Sequence, residues 1–194
     1  FDISFFRSKE GFVSGKRLQE YLNKYISSKN IEDTKIPFVA VTTDIEKGKS
    51  VALKAGPIAP SVNASCAVPG IFEPVKMYGT TYVDGGVLAG VPVAIAREYN
   101  PTIIIAVRIM SLDTNIDLKN HNDVLQRSFA IASYNSSQVN IKYADLVIAP
   151  NLIGIPLMSS KENEKLYKLG MEACKEAMPE LLELLKKNNI PLKN

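Results

Sequence analysis

A carboxylate followed by two glycines is the part of this sequence best suited to chemistry. Asp84 follows Tyr82 and Val83 and precedes Gly85 and Gly86. Glycine permits positive φ and a tight turn, so the aspartate can be held at the end of a strand. In open α/β sheets, ligands bind beyond the carboxyl ends of strands. Asp84 is therefore our candidate general base, supported by the two glycines. The alternative is a simple Asp-Gly turn whose carboxylate caps only its own backbone.

Three further side chains could act as a nucleophile or a base. Ser65 and Cys66 are adjacent in an apolar stretch before Pro69, and we interpret them as small residues packed in a buried short helix. His121 is the only histidine, and its polar surroundings are typical of an exposed loop. A Ser-His-Asp triad drawing on this chain would need His121, so the sequence favours a base that works without histidine.

Composition and charge exclude several classes of protein. The chain has 194 residues, of which 46% are hydrophobic and 22% charged, which predicts one globular domain over residues 1–194. The net charge of +3 arises from scattered Lys and Arg, so nucleic acid is not an expected partner. Cys66 and Cys174 lack CxxC spacing, so we expect no disulfide framework, no zinc site and a cytoplasmic location. No apolar stretch approaches the roughly 20 residues of a transmembrane helix.

Helical and strand patterns alternate along the chain. Ser14 can cap a first helix, and Pro179 is expected to kink or restart the last one. The apolar run 103–107 is typical of a strand buried on both faces. Such alternation predicts a three-layer α/β fold with a mostly parallel central sheet. The expected strands are 38–43, 50–53, 74–78, 82–83, 103–107 and 145–149, and the expected helices are 18–26, 60–67, 92–99, 123–143 and one opened by a capping box of Ser159 and Glu162.

A second block upstream of Asp84 carries a family resemblance. Residues 63–75 read Asn-Ala-Ser-Cys-Ala-Val-Pro-Gly-Ile-Phe-Glu-Pro-Val. Together with residues 82–93 they resemble the patatin-like phospholipase family, in which Ala-Ser-x-x-x-Pro-x-hydrophobic-Phe-x-Pro-Val precedes Asp-Gly-Gly or Asp-Gly-Ala. The other matching segments, in chain order, are 15–18, 36–44 and Pro92. The resemblance extends to about Pro150 and is strongest to bacterial members related to the neuropathy target esterase domain.

The resemblance implies a serine acyl hydrolase with an α/β/α fold. In the family, a serine in a Gly-x-Ser-x-Gly elbow attacks an ester carbonyl, and an aspartate takes its proton without a histidine. By matching position, Asp84 is that aspartate. A glycine-rich loop supplies backbone N–H groups to the oxyanion. The implied substrates are phospholipids, lysophospholipids or simple carboxylic esters, with transient contact to a membrane surface and with no metal or organic cofactor.

The chain departs from the family at the nucleophile. No serine lies in Gly-x-Ser-x-Gly, the nearest segment (11–15) has the wrong spacing, and no glycine-rich oxyanion loop is present. Family order places both elements upstream of Phe1, so we expect this chain alone to be inactive. The alternative is a non-catalytic patatin-fold binding or scaffold domain that lacks the elbow. Smaller departures at Asn63, Ala89 and Gly90 affect loop shape.

Overall fold

The computed structural model describes residues 13–112, 117–155 and 162–192. These residues form two compact units, one drawn from Phe1–Ala89 and Leu118–Ser133 and the other from Gly90–Asp117 and Tyr134–Asn194. Each unit has its own cluster of buried apolar side chains.

Helices and strands are mixed along the described residues, which confirms the predicted α/β class. The helices are α1 (Lys16–Tyr25), α2 (Ile58–Ser65), α3 (Val93–Arg97), α4 (His121–Ile141) and α5 (Asn163–Lys187). The strands are β1 (Ala40–Asp44), β2 (Lys49–Leu53), β3 (Val75–Met77), β4 (Thr80–Asp84), β5 (Ile105–Val107) and β6 (Leu146–Ile148). Two short 3-10 turns cover Ile31–Asp33 and Gly85–Val87.

The first unit contains a four-stranded sheet in the order β2-β1-β4-β3, in which every neighbouring pair is antiparallel. Tyr78 and Gly79 connect β3 to β4, and both have positive φ, 53° and 76°. A two-residue turn of this kind matches the twist of the strands that it joins. The sequence predicted mostly parallel strands. This sheet adds antiparallel pairing to the α/β fold. The connections within the β1–β2 and β3–β4 pairs are too short to join parallel strands.

In the second unit, β5 and β6 pair in parallel, with Ile105 opposite Leu146 and α5 packed against β6. Ala106 is buried, but Ile105 is 45% and Val107 55% exposed. The prediction that this strand is buried on both faces is therefore wrong. Among the strands that the structure describes, β6 is the one neighbour of β5, so β5 is an edge strand whose alternate side chains meet solvent.

The apolar cluster of the first unit joins its sheet to α2. Its buried members are Ile31, Ala40, Leu53 and Ile58. Because α2 buries five of its eight residues, this short helix is held by packing more than by its own length. The first sheet therefore packs against α2, which contacts both β1 and β4.

The start of α1 depends on a glycine. Gly15 precedes the helix with a left-handed φ of 70°, and Ser14 Oγ accepts only a long 3.4 Å hydrogen bond from the Lys16 N–H. A Cβ on Gly15 would overlap the Asn63 side chain, lying 2.6 Å from its Cγ. The cap residue is thus Gly15 rather than the predicted Ser14, because the chain must turn sharply beside Asn63.

The last helix differs from its prediction at Pro179. This proline lies inside α5, which continues from Asn163 to Lys187, so the predicted restart at Pro179 is wrong. Proline removes only its own N–H donor, and the flanking turns hold the helix. Ser159, half of the predicted capping box, lies outside the described residues, and Glu162 occupies the cap position.

Candidate active site

Asp84 is the last residue of β4, and hydrogen bonds fix it on two sides. Its N–H donates to the Ala67 carbonyl oxygen at 2.9 Å, which ties the strand end to the chain beyond α2. Its Oδ1 accepts a 2.6 Å hydrogen bond from the Gly86 N–H. The side chain is half-buried. The carboxylate is therefore held in one orientation at the carboxyl end of a strand, where the sequence placed it.

Nearby atoms leave no room for a side chain at either of the two glycines after Asp84. Neither has a positive φ, so the expectation that they supply a left-handed turn is wrong. A Cβ on Gly85 would collide with the Val41 carbonyl, lying 2.9 Å from its carbon. A Cβ on Gly86 would lie 2.8 Å from Asp84 Oδ1. Glycine here lets the turn pack directly on β1 and on the carboxylate itself.

The surroundings of Asp84 make its carboxyl reluctant to ionise. Burial raises the pKa of Asp84 above its ordinary value, and the hydrogen bond from the Gly86 N–H opposes this only in part. The pKa of the Cys66 thiol is also raised, first because its sulfur is partly covered and second because Asp84 carries negative charge. A carboxylate with a raised pKa is a stronger base in its ionised form, which suits a group that must take a proton from a hydroxyl.

The three other candidate side chains, Ser65, Cys66 and His121, differ in their exposure to solvent. Ser65 is half-buried at the end of α2, and its Oγ donates to the Val41 carbonyl oxygen at 2.6 Å. Cys66 follows the end of α2 and is exposed as a residue, although its sulfur is partly covered, so its predicted burial in that helix is wrong. His121 is exposed as predicted, but it begins α4 rather than lying in a loop.

Three residues near Asp84 were not identified from the sequence. Thr42 pairs directly opposite Asp84 in the β1–β4 register, and it is completely buried. Phe129 Cζ and Ser133 Oγ of α4 would lie 3.2 Å and 3.1 Å from a Cβ on Gly86. No local motif marks these side chains, because they reach the site through strand pairing and helix packing.

Other features of the structure lie apart from Asp84. An open depression of about 450 Å³ is lined by Lys76, Tyr78 and Thr80 among others, at the start of β4 rather than at its end. In residues 13–112, 117–155 and 162–192, no three His, Cys, Asp or Glu side chains are arranged to hold a metal ion. Within the same ranges, no helix combines the length and apolar character needed to cross a bilayer.

Comparison with known families defines the class of protein. Residues 2–97 match the family model for patatin-like phospholipase. This range includes the first sheet, α2 and the Asp84-Gly85-Gly86 turn. The resemblance seen in the sequence is confirmed, and we assign residues 2–97 to the patatin-like phospholipase family. The match ends before Pro150, to which the resemblance was traced.

Individual relatives agree with this assignment. An uncharacterized NTE family protein of Mycobacterium tuberculosis is 32% identical over 102 residues, which are 53% of this chain and 28% of that protein. Patatin-like phospholipase domain-containing protein 7 of Rattus norvegicus is 29% identical over 114 residues, 58% of this chain and 8% of that protein. Patatin-like phospholipase domain-containing protein 6 of Mus musculus is 30% identical over 114 residues, which are 58% of this chain and 8% of that protein. The matched segment thus spans less than a third of each of these relatives.

Proposed function

We propose that the complete protein is a serine acyl hydrolase of the patatin-like type that cleaves carboxylic esters of lipids, with Asp84 as its general base. The observation that carries this proposal is the Asp84 carboxylate, half-buried at a strand end, with a raised pKa and one oxygen held by the Gly86 N–H. Family membership of residues 2–97 supports the same chemistry.

In the proposed reaction, Asp84 acts twice. It first takes the proton of a serine hydroxyl while the serine oxygen attacks the ester carbonyl carbon. The tetrahedral intermediate then collapses, its bond to the alcohol oxygen breaks, and Asp84 returns the proton to the departing alcohol. A water molecule next attacks the acyl-enzyme, gives its proton to Asp84, and the free acid leaves as the serine is reprotonated. No metal or organic cofactor takes part in these steps.

The nucleophile of this mechanism is proposed to lie outside the present 194 residues, because none of their serines is in Gly-x-Ser-x-Gly. Ser65 is a poor substitute, since its hydroxyl donates to the Val41 carbonyl. The present chain alone is then inactive. The same observation favours a second candidate, a patatin-fold binding or scaffold domain without an elbow.

The proposed substrates are lysophospholipids, phospholipids and simple carboxylic esters. This class is supported by the family description rather than by a lipid-binding feature near Asp84. Transient contact with a membrane surface follows from such substrates and belongs to the same proposal.

The decisive experiment is the variant Asp84→Asn in the complete protein, assayed on lysophosphatidylcholine and on a p-nitrophenyl ester. Asparagine keeps the volume and can still accept the Gly86 hydrogen bond, but it cannot take a proton. We expect kcat to fall about 10²–10⁴-fold while unfolding stays cooperative.

The matched control is Asp33→Asn, which neutralises an exposed carboxylate at the 3-10 turn Ile31–Asp33. This variant should keep wild-type turnover. Turnover retained by Asp84→Asn would remove Asp84 from the mechanism. A complete protein that hydrolyses neither ester would instead favour the binding or scaffold domain.

A further inference from the structure

Helix α4 contributes two side chains to the surroundings of Asp84. Phe129 and Ser133 are one helical turn apart and therefore share a face of α4. Around the point where a Cβ on Gly86 would lie, Asp84 Oδ1 is at 2.8 Å, Ser133 Oγ at 3.1 Å and Phe129 Cζ at 3.2 Å. A carboxylate, a hydroxyl and the tip of an aromatic ring thus converge on a single glycine.

The burial of Phe129 is unusual for its part of α4. Its neighbours Val124 and Leu125 are 48% and 46% exposed, whereas Phe129 is 8% and Ser133 3% exposed. Phe129 is also not a member of either buried apolar cluster. Phe129 is nevertheless a buried core residue, whose ring tip reaches the Asp84 turn beside Gly86.

The Phe129 ring tip and Asp84 Oδ1 flank the same glycine, at 3.2 Å and 2.8 Å from the point where a Cβ on Gly86 would lie. We propose that Phe129 is a positioning residue for Asp84, whose ring covers the Gly86 side of the carboxylate and keeps water away from it. Besides the Phe129 ring, the groups beside Asp84 are the Gly86 N–H, Thr42 of β1, the Ser133 hydroxyl of α4 and the Cys66 thiol after α2. Of these, Cys66 is the titratable one, and it is itself held neutral. Burial is the leading cause of the raised pKa of Asp84, and the Phe129 ring is the apolar group beside it.

The inference rests on the proposed function only where Asp84 is taken as the base, so its test uses two readouts. The variants are Phe129→Ala and Phe129→Leu in the complete protein. The first readout is the pH dependence of kcat/KM on lysophosphatidylcholine. The second is the pH titration of the Gly86 amide signal in ¹⁵N-glycine-labelled protein, which follows the carboxylate that it bonds and needs no turnover. Asp84→Asn identifies this signal by abolishing its titration.

We expect Phe129→Ala to move both midpoints to lower pH by about half a unit or more, because water then reaches the carboxylate. Phe129→Leu keeps apolar cover and should restore most of the wild-type midpoint. The control is Leu53→Ala, which removes a side chain of similar burial (6% exposed) from the apolar cluster between the first sheet and α2. It should lower stability without moving either midpoint.

Each outcome bears on the inference separately from the proposed function. If Phe129→Ala folds and neither the kcat/KM midpoint nor the Gly86 amide midpoint moves, the inference about Phe129 is overturned. If the complete protein shows no hydrolysis, a shifted amide titration still supports it and an unshifted one still overturns it. If Phe129→Ala does not fold, Phe129→Val becomes the test, because valine removes most of the ring; a downward shift of both midpoints then supports the inference and no shift overturns it.

Discussion

Gly85 and Gly86 belong to one turn but are glycines for different reasons. Gly85 packs against the backbone of β1, where the Val41 carbonyl leaves no room for a side chain. Gly86 faces its own carboxylate partner, Asp84, and the side chains of Phe129 and Ser133. A substitution at Gly85 should therefore act on stability, whereas one at Gly86 should act first on the carboxylate.

The variant Gly85→Ala is expected to lower the free energy of unfolding by about 1–3 kcal/mol, because backbone atoms of β1 cannot yield to a new Cβ as a flexible side chain would. Urea denaturation measures this change. The control is Gly170→Ala in α5, where a Cβ meets nothing within 4 Å. Alanine there should stabilise by up to about 1 kcal/mol. Equal behaviour of the two variants would contradict the steric account.

At the scale of elements, β1 holds the end of β4 and the end of α2 together. Thr42 Oγ1 donates to the Val83 carbonyl oxygen at 2.6 Å and lies 3.4 Å from that of Ala64. Ser65 Oγ donates in turn to the Val41 carbonyl oxygen. These hydroxyls connect three elements around Asp84, so the position of the carboxylate depends on the side chains of β1 and α2 as well as on its own turn.

Replacing this buried hydroxyl tests the connection. We expect Thr42→Val, which keeps the shape of the side chain, to destabilise the protein by about 1–2 kcal/mol through loss of a buried hydrogen bond. Thr81→Val is the matched control on β4, since the Thr81 hydroxyl bonds Glu46 at an exposed position. Its effect should stay within about 0.5 kcal/mol. A Thr42→Val protein as stable as Thr81→Val in thermal unfolding would argue against the role of Thr42.

For the molecule as a whole, two carboxylates influence stability in opposite directions as pH changes. Burial would raise the pKa of Asp44, but hydrogen bonds from the Lys47 N–H and ammonium outweigh it, and the pKa is lowered. Asp44 therefore adds stability at neutral pH that is lost as pH falls through its folded-state pKa. Asp84 has a raised pKa, so its contribution is present in acid and is lost as pH rises through its folded-state pKa.

The two carboxylates can be separated by urea unfolding across the acidic and neutral range. Asp44→Asn should lower the unfolding midpoint at neutral pH and weaken the loss of stability in acid. Asp84→Asn should raise the free energy of unfolding at neutral pH, by on the order of 1 kcal/mol, because it removes a poorly solvated charge from a functional site. This gain should vanish where wild-type Asp84 is protonated. A midpoint lowered at neutral pH by Asp84→Asn would show that its charge is stabilised in the folded protein.

Residue types and their order along the chain predicted the family resemblance that residues 2–97 bear out, the α/β class, the order of most elements and the choice of Asp84 as the candidate base. These conclusions depend on residue type and on order over short segments, such as Asp84-Gly85-Gly86 and the block 63–75. Local propensity and motif order are properties of the chain before it folds, so they can be read without coordinates.

The tertiary structure alone decided what surrounds that base. Thr42 and Val83 are 41 positions apart, and only the antiparallel register brings Thr42 opposite Asp84. The packing of α4 likewise places Phe129 against Gly86, and no spacing rule connects the two. The same limit explains why the reason inferred from the sequence for the two glycines was wrong. Backbone of β1 crowds the Cβ site at Gly85, and side chains of α4 together with Asp84 crowd the one at Gly86. Register and packing are cooperative properties of the folded chain, and they set the burial that raises the pKa of Asp84.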